Sequence, residues 1–268
     1  MNVFEYDDII HGDRFVEICD YAIKENDDKI DDKMLDKNGL IFVKTDQIIN
    51  FFEAIREKPF NYVIVSHNSD HNITEEIYRQ KPPNVLHWFA QNVRTKQSDL
   101  TPIPIGIERP CVSGLDTVRI ILDASKREAD PTNIAYVNFS WQTNPNARQP
   151  IIHHYKEFPW VTMGERIPLE AYLSEIKKHV YVFCPPGNGW DTHRFWETLY
   201  MNRIPIVYDC PFPKGDVTFV EAEIEHPPKL LDLIYNDVLE FYRDTYFLKF
   251  KNWEKLIKET VNDLLHTD

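Results

Sequence analysis

The run Val180-Tyr181-Val182-Phe183-Cys184 is apolar throughout and rich in β-forming residues, so it reads as a buried strand. Pro185-Pro186-Gly187-Asn188-Gly189 cannot continue that strand, and a helical pattern runs from Thr192 to Tyr200, so the chain must turn at the strand's carboxyl end. Gly187 and Gly189 permit positive φ and a close approach by a ligand, while Asp191 is a suitable N-cap for a helix starting at Thr192. The unpaired N–H groups and dipole of that helix favour a negative group such as a phosphate. Arg194 and Glu197 share one face of the helix and present a cation and an acceptor together. The fitting guest is a nucleotide diphosphate with its ribose. Arg194 neutralises phosphate oxygens, Glu197 accepts from two vicinal ribose hydroxyls, and Asn188 and His193 lie on the same turn. Taken singly, the same residues also describe an ordinary strand-turn-helix with a surface ion pair. As a unit, they stand where parallel sheets bind ligands.

The rest of the chain supplies that sheet. Helix and strand patterns alternate: a helix over Arg14 to Lys24, a strand at Leu40 to Lys44, a helix over Asp46 to Glu57 and a strand at Tyr62 to Ser66. A helix around Thr74 to Gln80, a strand at Val85 to Ala90 and a short run at Ile103 to Ile107 follow, before Pro102, Pro104, Gly106 and Pro110 punctuate the chain. A boundary is placed there, giving domains 1–112 and 113–268, with a helix over Leu115 to Glu128 carrying the chain across. The second series is a strand at Asn133 to Phe139, a helix at Ala147 to Lys156, a strand at Trp160 to Met163, a helix at Leu169 to Lys177, the motif strand and a last strand at Arg203 to Tyr208. The expected fold class is α/β: two Rossmann-like domains facing across a cleft, the arrangement called GT-B. The tail from Leu230 to His266 reads as helices rich in aromatic residues, among them Phe241, Tyr242, Tyr246, Phe247 and Trp253, which suits core or interdomain packing.

Pro186-Gly187-Asn188-Gly189, Asp191-Thr192-His193-Arg194, Trp196-Glu197, Leu199 and Ile204-Pro205-Ile206-Val207 closely resemble the donor-site segment of exostosin-like glycosyltransferases, including the short soluble ones. That family usually carries a small residue, often Gly, and then Cys or Thr before the Ile-Pro pair; here Asn202 and Arg203 stand there. The resemblance implies an inverting transfer of a sugar from a nucleotide diphosphate sugar, most often a UDP-sugar, to a glycan or glycoprotein hydroxyl. It also implies C-terminal helices that cross back onto the first domain. A small sugar such as xylose is the favoured cargo, with glucuronic acid, galactose and N-acetylhexosamines as further precedents.

Other stretches add candidates. Asn138-Phe139-Ser140-Trp141-Gln142-Thr143-Asn144-Pro145-Asn146-Ala147-Arg148 again follows a strand with a polar loop and an arginine at a helix start. Asn138 and Ser140 can hydrogen-bond a diphosphate and Arg148 can neutralise it; a capped Asn-Pro turn is the plainer reading. Trp160 to Gly164 ends a strand whose loop could wall the base. In the first half, His67-Asn68-Ser69-Asp70-His71-Asn72 follows a strand end, and an inverting transfer needs a base there. Asp70 is the first candidate, with His71 and His67 behind it and Glu108 as an outsider. A turn with Ser69 or Asp70 capping the next helix is the alternative.

Composition narrows the classes. The 268 residues are 43% hydrophobic, enough for packed cores. A net charge of −13 argues against a nucleic-acid or anionic-membrane binder. The acidic excess over Glu25 to Asp36 reads as a solvated face. Cys19, Cys111, Cys184 and Cys210 show no paired or zinc-like spacing and suit a reducing compartment. With no signal-like start and no membrane-length apolar run, a cytoplasmic location is expected. No metal motif appears, so neither metal nor cofactor is expected beyond the sugar nucleotide, and arginines with a helix N-terminus are left to do a cation's work. Gly187-x-Gly189 lacks the third glycine of a dinucleotide fingerprint. The competing class is a non-catalytic nucleotide-sugar or glycan binding module, which would keep Glu197 and the glycine turn but need no base.

Overall fold

The computed structural model describes residues 4–24, 30, 32–208, 220–221 and 246–266. Cys210, Phe241, Tyr242 and the helices expected across 230–245 lie outside the described residues, as does most of 25–31. The chain forms two compact units: Ile10–Ile105 with Phe250–Asp268, and Met1–Ile9 with Gly106–Lys249.

In the first unit, strands β1 (Tyr21–Ile23), β2 (Gly39–Lys44), β3 (Tyr62–His67), β4 (Val85–Ala90) and β5 (Leu100–Pro102) pair in chain order, all parallel. Each crossover steps the same way, and parallel crossovers are right-handed, so the connecting helices collect on one face. There α2 (Ile48–Ile55) sets Ile48, Phe51, Phe52 and Ile55 into one core with Ile41, Val43, Tyr62, Ile64 and Trp88. Strand alternation turns the buried Leu40, Phe42, Val63, Val65 and Phe89 to the other face. That face is covered by the C-terminal helix Phe250–Leu265, which packs on β2, β3 and β4, and by α1 (Gly12–Glu17) on β3. Phe15 of α1 meets Phe250 edge-on at 5.1 Å.

Three expectations are corrected here. The helix over Arg14 to Lys24 is only α1; Tyr21–Ile23 instead pairs with Ile41–Val43, anchored by the Asp20 carboxylate accepting from the Leu40 N–H at 2.8 Å. The run Ile103 to Ile107 is not a strand, because Pro104 has no N–H to donate and Gly106 turns the chain at φ 68°. The edge strand lies just before it. The helix around Thr74 is shortened to α3 (Glu75–Tyr78), capped by the Thr74 hydroxyl accepting from the Ile77 N–H.

The second unit begins with α4 (Pro110–Ser113) and α5 (Thr117–Lys126), the latter N-capped by the Asp116 carboxylate. Its sheet holds β6 (Asn133–Val137), β7 (Val161–Met163), β8 (His179–Phe183), β9 (Ile204–Val207) and β10 (Val220–Glu221) in the order β10-β9-β8-β6-β7, again all parallel. From β6 the chain steps out to β7 through α6 (Pro145–Tyr155), then returns through α7 (Leu169–Lys177) to lay β8 on the other edge of β6. It continues through α8 (His193–Tyr200) to β9. The direction of travel reverses between β6 and β8, so this unit has a topological switch point and the first unit has none.

The chain passes from one unit to the other at 105/106, not at the expected 112/113, and residues 250–268 belong to the first unit. The local contacts explain both shifts. The Gly106 carbonyl accepts from His193 and the Glu108 carbonyl accepts from Thr117, which tie 106–109 to the second unit. The C-terminal helix is needed on the bare face of the first sheet. Both units are Rossmann-like βα repeats, and among the described residues no helix is long and apolar enough to cross a membrane.

Candidate functional site

At a switch point, the loops leaving the two central strands diverge and open a crevice at the strands' carboxyl ends. Here those loops are 138–144 after β6 and 184–192 after β8. They are stitched together by side chains from the start of α6. Asn144 N-caps α6 through Oδ1, which accepts from the Ala147 N–H at 3.2 Å, and its Nδ2 donates to the Gly187 carbonyl at 3.0 Å. Arg148, one turn on and buried, donates from Nε to the Pro186 carbonyl at 2.9 Å and from Nη1 to the Ser140 carbonyl at 2.7 Å.

Opposite stands Arg194 on α8. Both guanidiniums lie against the ring of Phe139, with Arg148 Cζ at 5.4 Å and Arg194 Cζ at 5.7 Å from its centre. Among the described residues neither arginine forms a salt bridge, and the buried Nε of Arg194 has no hydrogen-bond partner. Burial, and then the neighbouring Arg194, pull Arg148 down to about 10. Burial also works against the Arg194 charge, but Tyr172, Cys184 and Glu197 outweigh it and leave that group above its ordinary range. The buried Glu197 carboxyl is raised by desolvation, with His193 and Arg194 opposing and Glu108 adding to the rise. Two clustered cations facing one reluctant carboxylate leave positive charge that a phosphate would compensate.

The helix start differs from expectation. α8 begins at His193, with Thr192 as the N-cap residue, and the Thr192 hydroxyl oxygen is buried without a partner. Asp191 is therefore not the cap. Both its carboxylate oxygens accept from the Trp196 indole N–H at 3.0 Å, because a helix that starts beyond Thr192 brings that indole back over its own first turn. The left-handed glycine turn is also corrected: neither Gly187 nor Gly189 has positive φ. What Gly187 supplies is space, since a Cβ there would sit 2.8 Å from Arg148 Nη2. At the other end of α8, Asn202 takes the left-handed position at φ 59°. Its N–H donates to the Leu199 carbonyl and that of Arg203 to the Thr198 carbonyl, a Schellman ending. The place where the resembled family favours glycine thus has an asparagine that the backbone accepts.

The remaining donor-side candidates divide. Asn188 is exposed on the turn. The amide of Asn138 donates to the Tyr136 hydroxyl at 2.6 Å and to the Glu165 carbonyl at 3.0 Å, so its hydrogens are turned toward the loop after β7. The exposed Ser140 donates its hydroxyl to Gln142 and offers Arg148 its carbonyl. In this arrangement the hydrogens of both are engaged within the protein. His193 donates from Nδ1 to the Gly106 carbonyl at 2.8 Å, and its Nε2 lies 3.7 Å from Glu108 Oε2.

On the first unit, Asp70 and His71 are both exposed on the loop after β3. His67 is buried instead: Nε2 donates to the Pro104 carbonyl at 3.0 Å, Nδ1 accepts from the Asn68 N–H at 2.7 Å, and the ring stacks on Phe15. Its two nitrogens are committed to holding the loop. Residue types and spacing pointed to Arg148, Arg194 and Glu197. They did not single out Asn144 as the stitch, Phe139 as the ring between two guanidiniums, or Tyr172, whose buried hydroxyl lies beside Arg194 and Glu197. Phe139 and Asn144 sit in a loop whose polarity already marked it, whereas Tyr172 reads simply as part of the apolar stripe of α7.

Among the described residues, no cluster of histidine, cysteine and acidic side chains is arranged to hold a metal ion. The chain matches no protein-family model and no curated protein. Among solved structures it is similar to an α,α-trehalose-phosphate synthase (UDP-forming) from Burkholderia vietnamiensis, at 8% identity and a TM-score of 0.45, over 84% of this chain and 72% of that one.

Proposed function

We propose that this protein is a glycosyltransferase whose nucleotide diphosphate sugar docks between the β6 and β8 loops. The observation that carries this reading is the pair of guanidiniums, Arg148 and Arg194, flanking Phe139 at the switch point with no carboxylate within salt-bridge reach among the described residues. Beside them stands the N-terminus of α8, which favours an anion. In this reading the diphosphate lies against α8 and the two arginines, and Glu197 accepts from the ribose hydroxyls. As the bond from the anomeric carbon to the phosphate oxygen breaks, charge grows on that oxygen and the fixed guanidiniums stabilise it. The acceptor hydroxyl oxygen forms the new bond, and its proton passes to a base, proposed as Asp70 with His71 beside it.

The finer parts of the proposal are an exostosin-like, inverting, metal-independent transfer from a UDP-sugar, xylose among the first to try, onto a glycan hydroxyl, in the cytoplasm. They rest on the resemblance of residues 186–207.

Thermal-shift and calorimetric titration with UDP, GDP and their sugars tests the site, since a ligand held only by the folded state raises the melting point. Binding of UDP that Arg194→Ala weakens, with turnover reduced by about 10²–10³, is the expected result. No nucleotide binding at millimolar concentration would end the proposal. Donor hydrolysis without acceptor distinguishes a transferase from a binding module, which would leave the sugar nucleotide intact.

A further inference from the structure

Resting on that donor reading, we propose that His193 is the proton donor that meets the departing diphosphate, with Glu108 as the carboxylate that keeps the proton on it. The geometry assigns the atoms. A carbonyl can only accept, so the contact with Gly106 at 2.8 Å places a hydrogen on Nδ1. Nε2, the atom 3.7 Å from Glu108 Oε2, is then the place for any second proton the ring takes up. That separation is too long for a closed hydrogen bond, so a proton arriving on Nε2 would lie near a carboxylate without being spent on it. The side chains are 31% and 43% exposed, so a ligand can reach the pair.

The position decides the role. His193 is the first residue of α8, beside the anion place, whereas a base for the acceptor must lie across the anomeric carbon from the leaving group. Two buried polar atoms at the same helix start, Thr192 Oγ1 and Arg194 Nε, lack partners. An arriving phosphate answers them together. A helix N-terminus disfavours a cation, so an imidazolium there depends on Glu108 and on the ligand itself, and donor binding becomes coupled to proton uptake.

The charged groups beside His193 are Glu108, 3.7 Å from its Nε2, Glu197, on whose carboxyl it acts, and Arg194, the next residue of α8. α5 packs on α8, while its Arg119, Asp123 and Lys126 are exposed.

In the step itself, the bond between anomeric carbon and terminal phosphate oxygen breaks with its electron pair on oxygen. The Nε2 proton goes to that oxygen, the acceptor oxygen bonds to carbon and loses its proton to the base, and His193 is reprotonated from solvent. The test is calorimetric titration of UDP into the wild type, His193→Gln and Glu108→Gln at about pH 5.5, 6.5, 7.5 and 8.5, because imidazoles titrate in that range. Comparing chains cancels the titration of UDP. The wild-type advantage over H193Q should shrink about tenfold as pH rises, and E108Q should lose part of that advantage at neutral pH. An advantage that is constant with pH overturns the inference and leaves the donor reading intact. No UDP binding by any chain overturns both. Should H193Q fail to fold by circular dichroism, the wild type against E108Q carries the same comparison.

Discussion

Arg148 is a structural tie within the proposed site. Its guanidinium is held by the Pro186 and Ser140 carbonyls, so it cannot swing aside when its surroundings change. Gly187→Ala, whose Cβ would stand 2.8 Å from Nη2, should therefore cost about 1–3 kcal/mol of stability and weaken UDP binding, measured by denaturant unfolding and calorimetry. Arg148→Lys should not restore function. A lysine cannot reproduce the planar fork that spans two carbonyls, and each carbonyl left unsatisfied costs about 1–3 kcal/mol. Arg148, Arg194, Glu197 and Gly187 were legible as candidates in residue type and spacing. The true partner of Asp191 was not, because it depends on where the helix begins and how its first turn folds back.

Among the elements, the α6 start and the ends of α5 and α7 carry the sharpest consequences. Asn144→Ala removes an N-cap and the link to Gly187 together; a stability loss of about 1–2 kcal/mol is expected in thermal unfolding, with Asn144→Asp keeping the cap but not the amide donor. At the opposite end of the sheet, the Lys177 ammonium donates to the Ala124 and Ser125 carbonyls at the end of α5. Arg203 caps α7 by donating to the Lys177 carbonyl from Nε at 3.0 Å. Burial first, then Arg203 and Arg127, pull Lys177 down to about 8. An unfolded lysine holds its proton to about pH 10.4, so between about pH 8 and that value the unfolded chain binds more protons and stability from this group rises with pH. Chemical unfolding of the wild type against Lys177→Met at about pH 7.5 and about pH 10 should show the wild type gaining on the variant. Long apolar runs were read correctly as strands, since both faces of a parallel sheet are buried. The short β1 was read as helix, because three residues show no decisive period and only pairing with β2 makes them a strand.

Over the whole molecule, the chain visits its two units discontinuously, and the C-terminal helix completes a sheet whose strands lie far earlier. Trp253→Ala on that helix, where the side chain is 5% exposed, should cost about 3–5 kcal/mol. Hydrogen exchange should show the loss in β2, β3 and β4, while β6, β8 and β9 keep their protection. Uniform loss across both sheets would contradict the division into units. The alternation of buried strands with amphipathic helices, read from the sequence alone, determined that the fold is α/β with parallel sheets, because period and polarity follow from which faces each residue can bury. The same reading named Gly187, Arg194 and Glu197 as candidates for the proposed anion site, from residue type and spacing alone. Only tertiary structure decided the strand order. Nothing in local pattern says whether the chain leaving a strand steps left or right, yet that choice created the β6–β8 switch point, brought Arg148 to Arg194, and set His193 beside Glu108.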